Sequence, residues 1–194
     1  MEVLAEAFPG GNIAEASDGA EALQAVYDGA WDLVVLDLSL PGRTGLDVLK
    51  EIRGARPKLP ILILSTYPEQ QFATRALRAG ASGYLNKGSP PEVLVSAVRK
   101  ILAGGKFISE TLGETLAADL DRDFTKPLHE CLSDREYHVM LRIASGKTVS
   151  EIAEEIHLSV KTISTYRARV LEKMRMKNNA ELAQYGIREK LVDL

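Results

Sequence analysis

Apolar residues follow two different rhythms along this 194-residue chain. Through the first hundred residues, short wholly apolar runs alternate with stretches in which apolar side chains recur every three or four positions. Leu33-Val-Val-Leu36 and Leu59-Pro-Ile-Leu-Ile-Leu64 are such runs. They are too short for helices and are bounded by helical patterns, which suits strands buried on both faces of a parallel sheet. Residues 12–16 and Gly83-Tyr84-Leu85 read as two shorter strands. Between them, 1–8 reads as the end of a helix, and 19–27 carries Ala20, Leu23 and Val26 on one helical face. Leu46, Val48, Leu49 and Ile52 predict a helix ending near Gly54, and 70–78 predicts another ending at Gly80. Ser89 and Glu92 stand at capping-box spacing around Pro90 and Pro91, so a helix starts there and runs to about Ala103, before Gly104-Gly105. Strand-helix units repeated in this way imply a parallel sheet with right-handed crossovers and helices on both faces.

Past Gly105 the rhythm changes. Residues 106–127 form a polar connector with one weakly helical piece around 110–120. Only helical periodicity follows, over about 134–145, 149–156, 160–175 and 179–190. Three of these segments open with Ser/Thr/Asn-x-x-Glu: Ser133 with Glu136, Thr148 with Glu151 and Asn178 with Glu181. A bundle of four short helices is expected. Its second and third helices are joined by His157-Leu158-Ser159, with Ser159 as cap, which is helix-turn-helix spacing.

Charge sharpens the division. The net charge is −3, but residues 126–194 carry 12 Lys/Arg against 10 Asp/Glu, and residues 1–125 carry 12 against 17. Six cations (Lys161, Arg167, Arg169, Lys173, Arg175, Lys177) stand against one acid, Glu172, within 161–177. On that helix Ile163, Tyr166, Val170 and Met174 fall on one face, which leaves Lys161, Ser164, Thr165, Ala168 and Glu172 outward. Small polar side chains let a helix approach base edges closely, while Lys and Arg bind phosphates. The single cysteine, Cys131, excludes an internal disulfide or a cysteine metal cluster. No run approaches the roughly 18 apolar residues of a membrane span, and no basic-then-apolar leader opens the sequence, so a cytoplasmic location is expected.

Two stretches carry family resemblances. Leu132-Ser-Asp-Arg-Glu136, Gly146-Lys-Thr-Val-Ser-Glu-Ile-Ala153 and Leu158-Ser-Val-Lys-Thr-Ile-Ser-Thr-Tyr166 resemble the LuxR-type DNA-binding domain over nearly all of 130–192. The resemblance implies that Ser164, Thr165 and Ala168 face the major groove, that Lys161, Thr162, Arg167 and Lys173 lie near the backbone, and that the last helix makes a dimer contact. Two half-sites in double-stranded promoter DNA follow from such a dimer.

The first half resembles the receiver domain of two-component response regulators of the NarL/FixJ type, a flavodoxin-like fold. The resemblance rests on Asp37-Leu-Ser-Leu-Pro-Gly42 with Gly45, on Ser65, and on Gly83-Tyr-Leu-Asn-Lys87. It implies that Asp37 accepts a phosphoryl group from a sensor histidine kinase, that Ser65 and Lys87 meet the phosphoryl oxygens, and that Tyr84 turns inward as the switch. The altered surface would be that of the fourth helix, fifth strand and fifth helix. An aspartate is a usable nucleophile for this transfer, and the anionic group needs a cation and a hydroxyl beside it. On this reading 1–105 is the receiver, 106–127 the linker and 128–194 the DNA-binding domain.

One departure limits the expectation. Receivers of this family begin with a strand ending in two adjacent acids that hold Mg²⁺, and no such strand stands before the helix at 1–8; Glu2 and Glu6 belong to that helix. Asp37 and the backbone carbonyl of Ser39 are then left to hold Mg²⁺. Either the sequence is an N-terminally shortened regulator, or the receiver is degenerate and DNA binding is independent of phosphorylation. An aspartate-nucleophile phosphatase would want a second acid two residues after Asp37, where Ser39 stands. No glycine-rich phosphate cradle follows any strand. Regulation rather than catalysis is therefore expected.

Overall fold

The computed structural model describes residues 2–40, 43–121 and 127–192. Pro41 and Gly42 of the Asp37–Gly42 motif and most of the far end of the connector lie outside them. The chain divides into two compact units, Met1–Asp121 and Arg122–Leu194.

The first unit runs α1 (Glu2–Ala7), α2 (Gly19–Asp28), β1 (Val34–Leu36), α3 (Gly45–Ala55), β2 (Ile61–Ser65), α4 (Glu69–Arg78), β3 (Gly83–Asn86), α5 (Pro91–Leu102) and α6 (Glu110–Asp121). The three strands are parallel in the order β1-β2-β3, with Val34 opposite Ile61 and Leu62 opposite Gly83. Ile61, Leu62 and Ile63 are completely buried, as a central parallel strand requires. Side chains alternate along a strand, so Leu62 and Leu85 meet Ala97, Val98 and Ile101 of α5 on one face while Ile61 and Ile63 point to the other. Burying each such side chain stabilises the unit by about 1.5–3 kcal/mol.

The strand expected at 12–16 does not form. Those residues have no regular structure and are exposed, apart from half-buried Ile13. A strand exists only by pairing. β1 pairs with β2 along one edge, and no described strand lies along the other, so 12–16 has no ladder to join. The cap expected at Ser89 is also displaced. The helix begins at Pro91, its cap position is Pro90, and no side chain caps it. Ser89 stands one residue too early to serve.

The connector read at 106–127 begins inside the first unit. Phe107 bridges Gly83 as a fourth strand would, accepting from Tyr84 N–H and donating to the Ser82 carbonyl. A Cβ on Gly83 would stand 2.7 Å from the Phe107 carbonyl oxygen, so only glycine admits this approach. Ser109 then caps α6 and donates to Glu69 of α4 at 2.7 Å.

The second unit holds a 3₁₀ turn (Leu128–Cys131) and four helices: α7 (Asp134–Ala144), α8 (Val149–Glu155), α9 (Val160–Lys173) and α10 (Asn179–Arg188). α7 is buried nearly all round, and α9 and α10 pack on it. Complete capping boxes form at Ser133–Glu136 and Thr148–Glu151. The third box is half made. Asn178 accepts from the Glu181 N–H, but the Glu181 carboxylate returns to the N–H of Lys177 rather than of Asn178. The sequence spacing could not tell these two neighbouring donors apart.

Candidate functional site

Three strand ends build the first site. Asp37 is the first residue beyond β1, Ser65 the last of β2 and Lys87 the first beyond β3. The β2–β3 register sets Ser65 opposite Asn86, and Lys87 N–H donates to the Ser65 carbonyl at 2.8 Å. All three therefore lie on the carboxyl edge of the sheet, where open α/β folds place their chemistry. Lys87 Nζ donates to Asp37 Oδ2 at 2.7 Å, and the Ser39 N–H donates to Oδ1 at 3.0 Å. The Lys87 side chain is 42 % exposed and that of Asp37 24 %, so the pair is open to an incoming solute. An ion pair this exposed adds little stability. What it does is hold an ammonium 2.7 Å from a carboxylate at the open edge of the sheet.

Gly45 lets α3 start beside this edge. A Cβ there would stand 2.1 Å from the Asp37 carbonyl oxygen and 2.6 Å from the Leu38 Cα. Gly45 N–H bonds the Leu38 carbonyl, and Thr44 caps the helix through the Asp47 N–H.

Ser65 is fully buried, and its hydroxyl accepts from the Tyr67 N–H at 3.3 Å. Tyr84, the expected switch residue, is already turned inward. Its hydroxyl donates to the Tyr67 carbonyl at 2.8 Å, and the Asn86 side chain donates to the same oxygen at 3.3 Å. Burial pushes the Tyr84 phenol far above its ordinary value, against a lowering by the Ser65 hydroxyl, so it stays a donor at physiological pH. Sequence reasoning missed Asn86 and the Tyr67 carbonyl. A backbone acceptor leaves no signature in side-chain chemistry.

The described residues do not complete a Mg²⁺ site. Hard Mg²⁺ asks for octahedral oxygen ligands. Both Asp37 oxygens already accept hydrogen bonds, and no group of three or more His, Cys, Asp or Glu is gathered anywhere among the described residues.

The second site is one face of α9. Ser159 caps the helix through the Thr162 N–H, and its hydroxyl lies 2.8 Å from that of Thr162. Lys161, Ser164, Thr165 and Ala168 are exposed, as the helical spacing requires, while Ile163, Val170 and Met174 are buried and Tyr166 is half-buried. Thr162 and Arg167 are half-buried on the two flanks. The Arg167 Nε donates to Asn179 Oδ1 at 2.7 Å. Lys173 is committed elsewhere: its ammonium donates to the buried Glu136 carboxylate of α7 at 2.6 Å. Arg169 also projects from this helix, and Val160 is half exposed at its first turn.

Known proteins match both units. Residues 2–99 match the family described as "Response regulator receiver domain", and residues 130–186 match "Bacterial regulatory proteins, luxR family". The chain is 33 % identical to the response regulator UvrY of Escherichia coli over 92 % of its own length and 83 % of that protein's. It is 35 % identical to the oxygen regulatory protein NreC of Staphylococcus carnosus, over 92 % of this chain and 85 % of the relative. A structure of RcsB from Salmonella enterica serovar Typhimurium, bound to a promoter in the presence of the phosphomimetic BeF3-, superposes with a TM-score of 0.51. It is 26 % identical and covers 89 % of this chain and 83 % of that one.

Proposed function

Because the chain belongs to the two-component response regulators with a LuxR-type DNA-binding domain, we propose that phosphorylation of Asp37 by a sensor histidine kinase controls its hold on promoter DNA. The family's work is DNA-binding transcription regulation. The observation that carries the assignment to Asp37 is the 2.7 Å contact with Lys87, at the sheet edge shared with Ser65. One Asp37 carboxylate oxygen attacks phosphorus as the phosphorus–nitrogen bond of the donor phosphohistidine breaks, and the released imidazole takes up a proton. The product is an aspartyl phosphate, whose added negative charge falls beside the Lys87 ammonium. A hydroxyl at Ser65 supplies a donor to a phosphoryl oxygen, and any shift of Ser65 reaches Tyr84 through the Tyr67 segment that both bond.

On the DNA side, Ser164, Thr165 and Ala168 face base edges in the major groove. Lys161, Thr162 and Arg167 lie along the backbone, with Arg169 as an added phosphate contact. The pair with Glu136 makes Lys173 a weaker phosphate ligand than its position alone suggests. RcsB, a structural relative, is described as two dimers bound to two parallel DNAs. We extend a dimer on two-fold-related half-sites to this chain, acting in the cytoplasm as a regulator rather than an enzyme. Among the described residues no helix is long and apolar enough to cross a membrane.

The test is mass measurement after incubation with a small-molecule phosphodonor. A gain of one phosphoryl group that disappears in Asp37→Ala supports the assignment; a gain that survives the substitution moves the acceptor elsewhere. Lys87→Ala should slow the gain without abolishing it.

A further inference from the structure

Arg167 lies one helical turn after Ser164, on the flank of α9 between the outward face and the core. Its Nε bonds Asn179 Oδ1, the side chain of the first residue of α10, at 2.7 Å. Because Nε carries a proton, the atom facing it must be the amide oxygen. The bond uses one of the guanidinium's five donors. No carboxylate pairs with Arg167 among the described residues, so its positive charge is uncompensated. The other cations of α9 differ from it in opposite ways. Lys173 is fixed but neutralised by Glu136, while Lys161 and Arg169 are uncompensated and exposed, with nothing among the described residues to hold them.

The guanidinium is a rigid planar fork, so fixing Nε also fixes the direction of both terminal nitrogens. An uncharged acceptor does this without reducing the cation's attraction for an anion. An aspartate at the same place would hold the fork equally well but cancel its charge. From this geometry, and resting on the reading of α9 as the DNA-contacting helix, we propose that Asn179 is a positioning residue for DNA. It presents the Arg167 guanidinium, still fully charged, to a backbone phosphate beside the base contact made from Ser164. The helix that bears the expected dimer contact thereby also sets one of the DNA contacts.

The experiment uses the full-length chain and a duplex that it selects from a random-sequence pool. Affinity is measured across a salt series for wild type, Arg167→Ala, Asn179→Ala, Asn179→Asp and the double alanine variant. Arg167→Ala should lower the slope of log affinity against log salt by about 0.9, the signature of one lost phosphate contact. Asn179→Ala keeps the charge but frees it, so affinity should fall roughly 3- to 10-fold, the loss of one hydrogen bond's worth of order. The double variant should be no weaker than Arg167→Ala alone. Asn179→Asp is decisive, because an acid in the first turn of a helix suits its dipole and should leave thermal unfolding unchanged or improved. It should nevertheless lose about as much salt slope as Arg167→Ala. Wild-type affinity and slope in Asn179→Asp would overturn the proposal, as would additive losses in the double variant or no loss in Arg167→Ala. Failure of the wild-type chain to select any duplex would instead sink the DNA-contacting reading of α9.

Discussion

The sheet edge and the α9 face handle charge in opposite ways. At the edge, Lys87 already rests on Asp37 at 2.7 Å, and the nearby hydroxyls of Ser65 and Tyr84 are buried and bonded. On α9, Lys161 and Arg169 stand exposed, and the small side chains of Ser164, Thr165 and Ala168 leave the centre of the face open. The edge proposed to bond a single small anion gathers groups from three separate segments. The surface proposed to lie along an extended anion needs only one helix with its apolar residues on the far side. The histidines are divided just as unevenly. All three histidines of the chain (His129, His138, His157) lie in the second unit.

The largest expected effect turns on that asymmetry. Burial, helped by Arg142 and Arg135, pushes His138 down from 6.5 to about 3. Its folded value lies below its unfolded value, so the stability it confers is complete above pH 6.5. That stability is lost as pH falls toward 3, at about 1.4 kcal/mol per pH unit. Glu136 adds to the loss lower down. Burial opposes its ionisation, but bonds from Lys173 and Ser133 outweigh this and hold it below 4.5. Between pH 6 and 4.5 the amides of α7 should lose hydrogen-exchange protection while those of β2 hold theirs. The fluorescence of Trp31, the single tryptophan, should confirm that the first unit stays folded. His138→Gln should flatten the response. Parallel loss in β2 and α7 would erase the contrast between the units.

Gly45→Ala reverses the direction. The new Cβ has to displace the Asp37–Leu38 backbone, at a cost of up to about 3 kcal/mol for overpacking. The first unit should melt earlier and phosphoryl uptake at Asp37 should drop, with α7 protection untouched. Normal uptake in the variant would show that the Asp37 loop can move aside freely.

How legible each site was follows from how local it is. The α9 face was readable because its groups sit on one helix, and the Ser159 cap and the Ile163/Val170/Met174 spacing fix its phase. Asp37, Ser65 and Lys87 were readable as strand ends, since an apolar run stops where a polar residue begins. What sequence could not show were bonds made across the fold. Lys173 reads as a DNA ligand in the sequence, and only the fold shows that α7 also brings Glu136 to it. Asn179 carries no signal of its own in the sequence, and only the fold brings it to Arg167. Residues 12–16 had the composition of a strand, but composition does not supply a neighbour.

The Glu136–Lys173 pair gives the third effect. Glu136→Ala removes a buried carboxylate that closes the Ser133 capping box and takes the Lys173 ammonium, and should cost the second unit about 2 kcal/mol in chemical denaturation. Lys173→Ala leaves the buried carboxylate with its Ser133 bond but without its cation and should cost a similar amount. If instead Lys173→Ala leaves stability unchanged and cuts the salt slope of DNA binding, Lys173 belongs with the phosphate ligands after all, and the contrast with Lys161 disappears.

The smallest expected effect lies in the turn before α9. His157 has φ +54°, the left-handed conformation that side chains disfavour. Leu158 N–H bonds the Ala153 carbonyl and His157 N–H the Glu154 carbonyl, the bond pattern that ends a helix on a left-handed residue. The imidazole is exposed, so little packing is lost on removing it. His157→Gly relieves the strain and widens the freedom of the unfolded chain, and these oppose each other. The strain relief should prevail, raising stability by about 0.5 kcal/mol with DNA affinity unchanged. A loss of affinity at higher stability would make His157 part of the DNA-facing surface, extending it from one helix face into the turn that aims it.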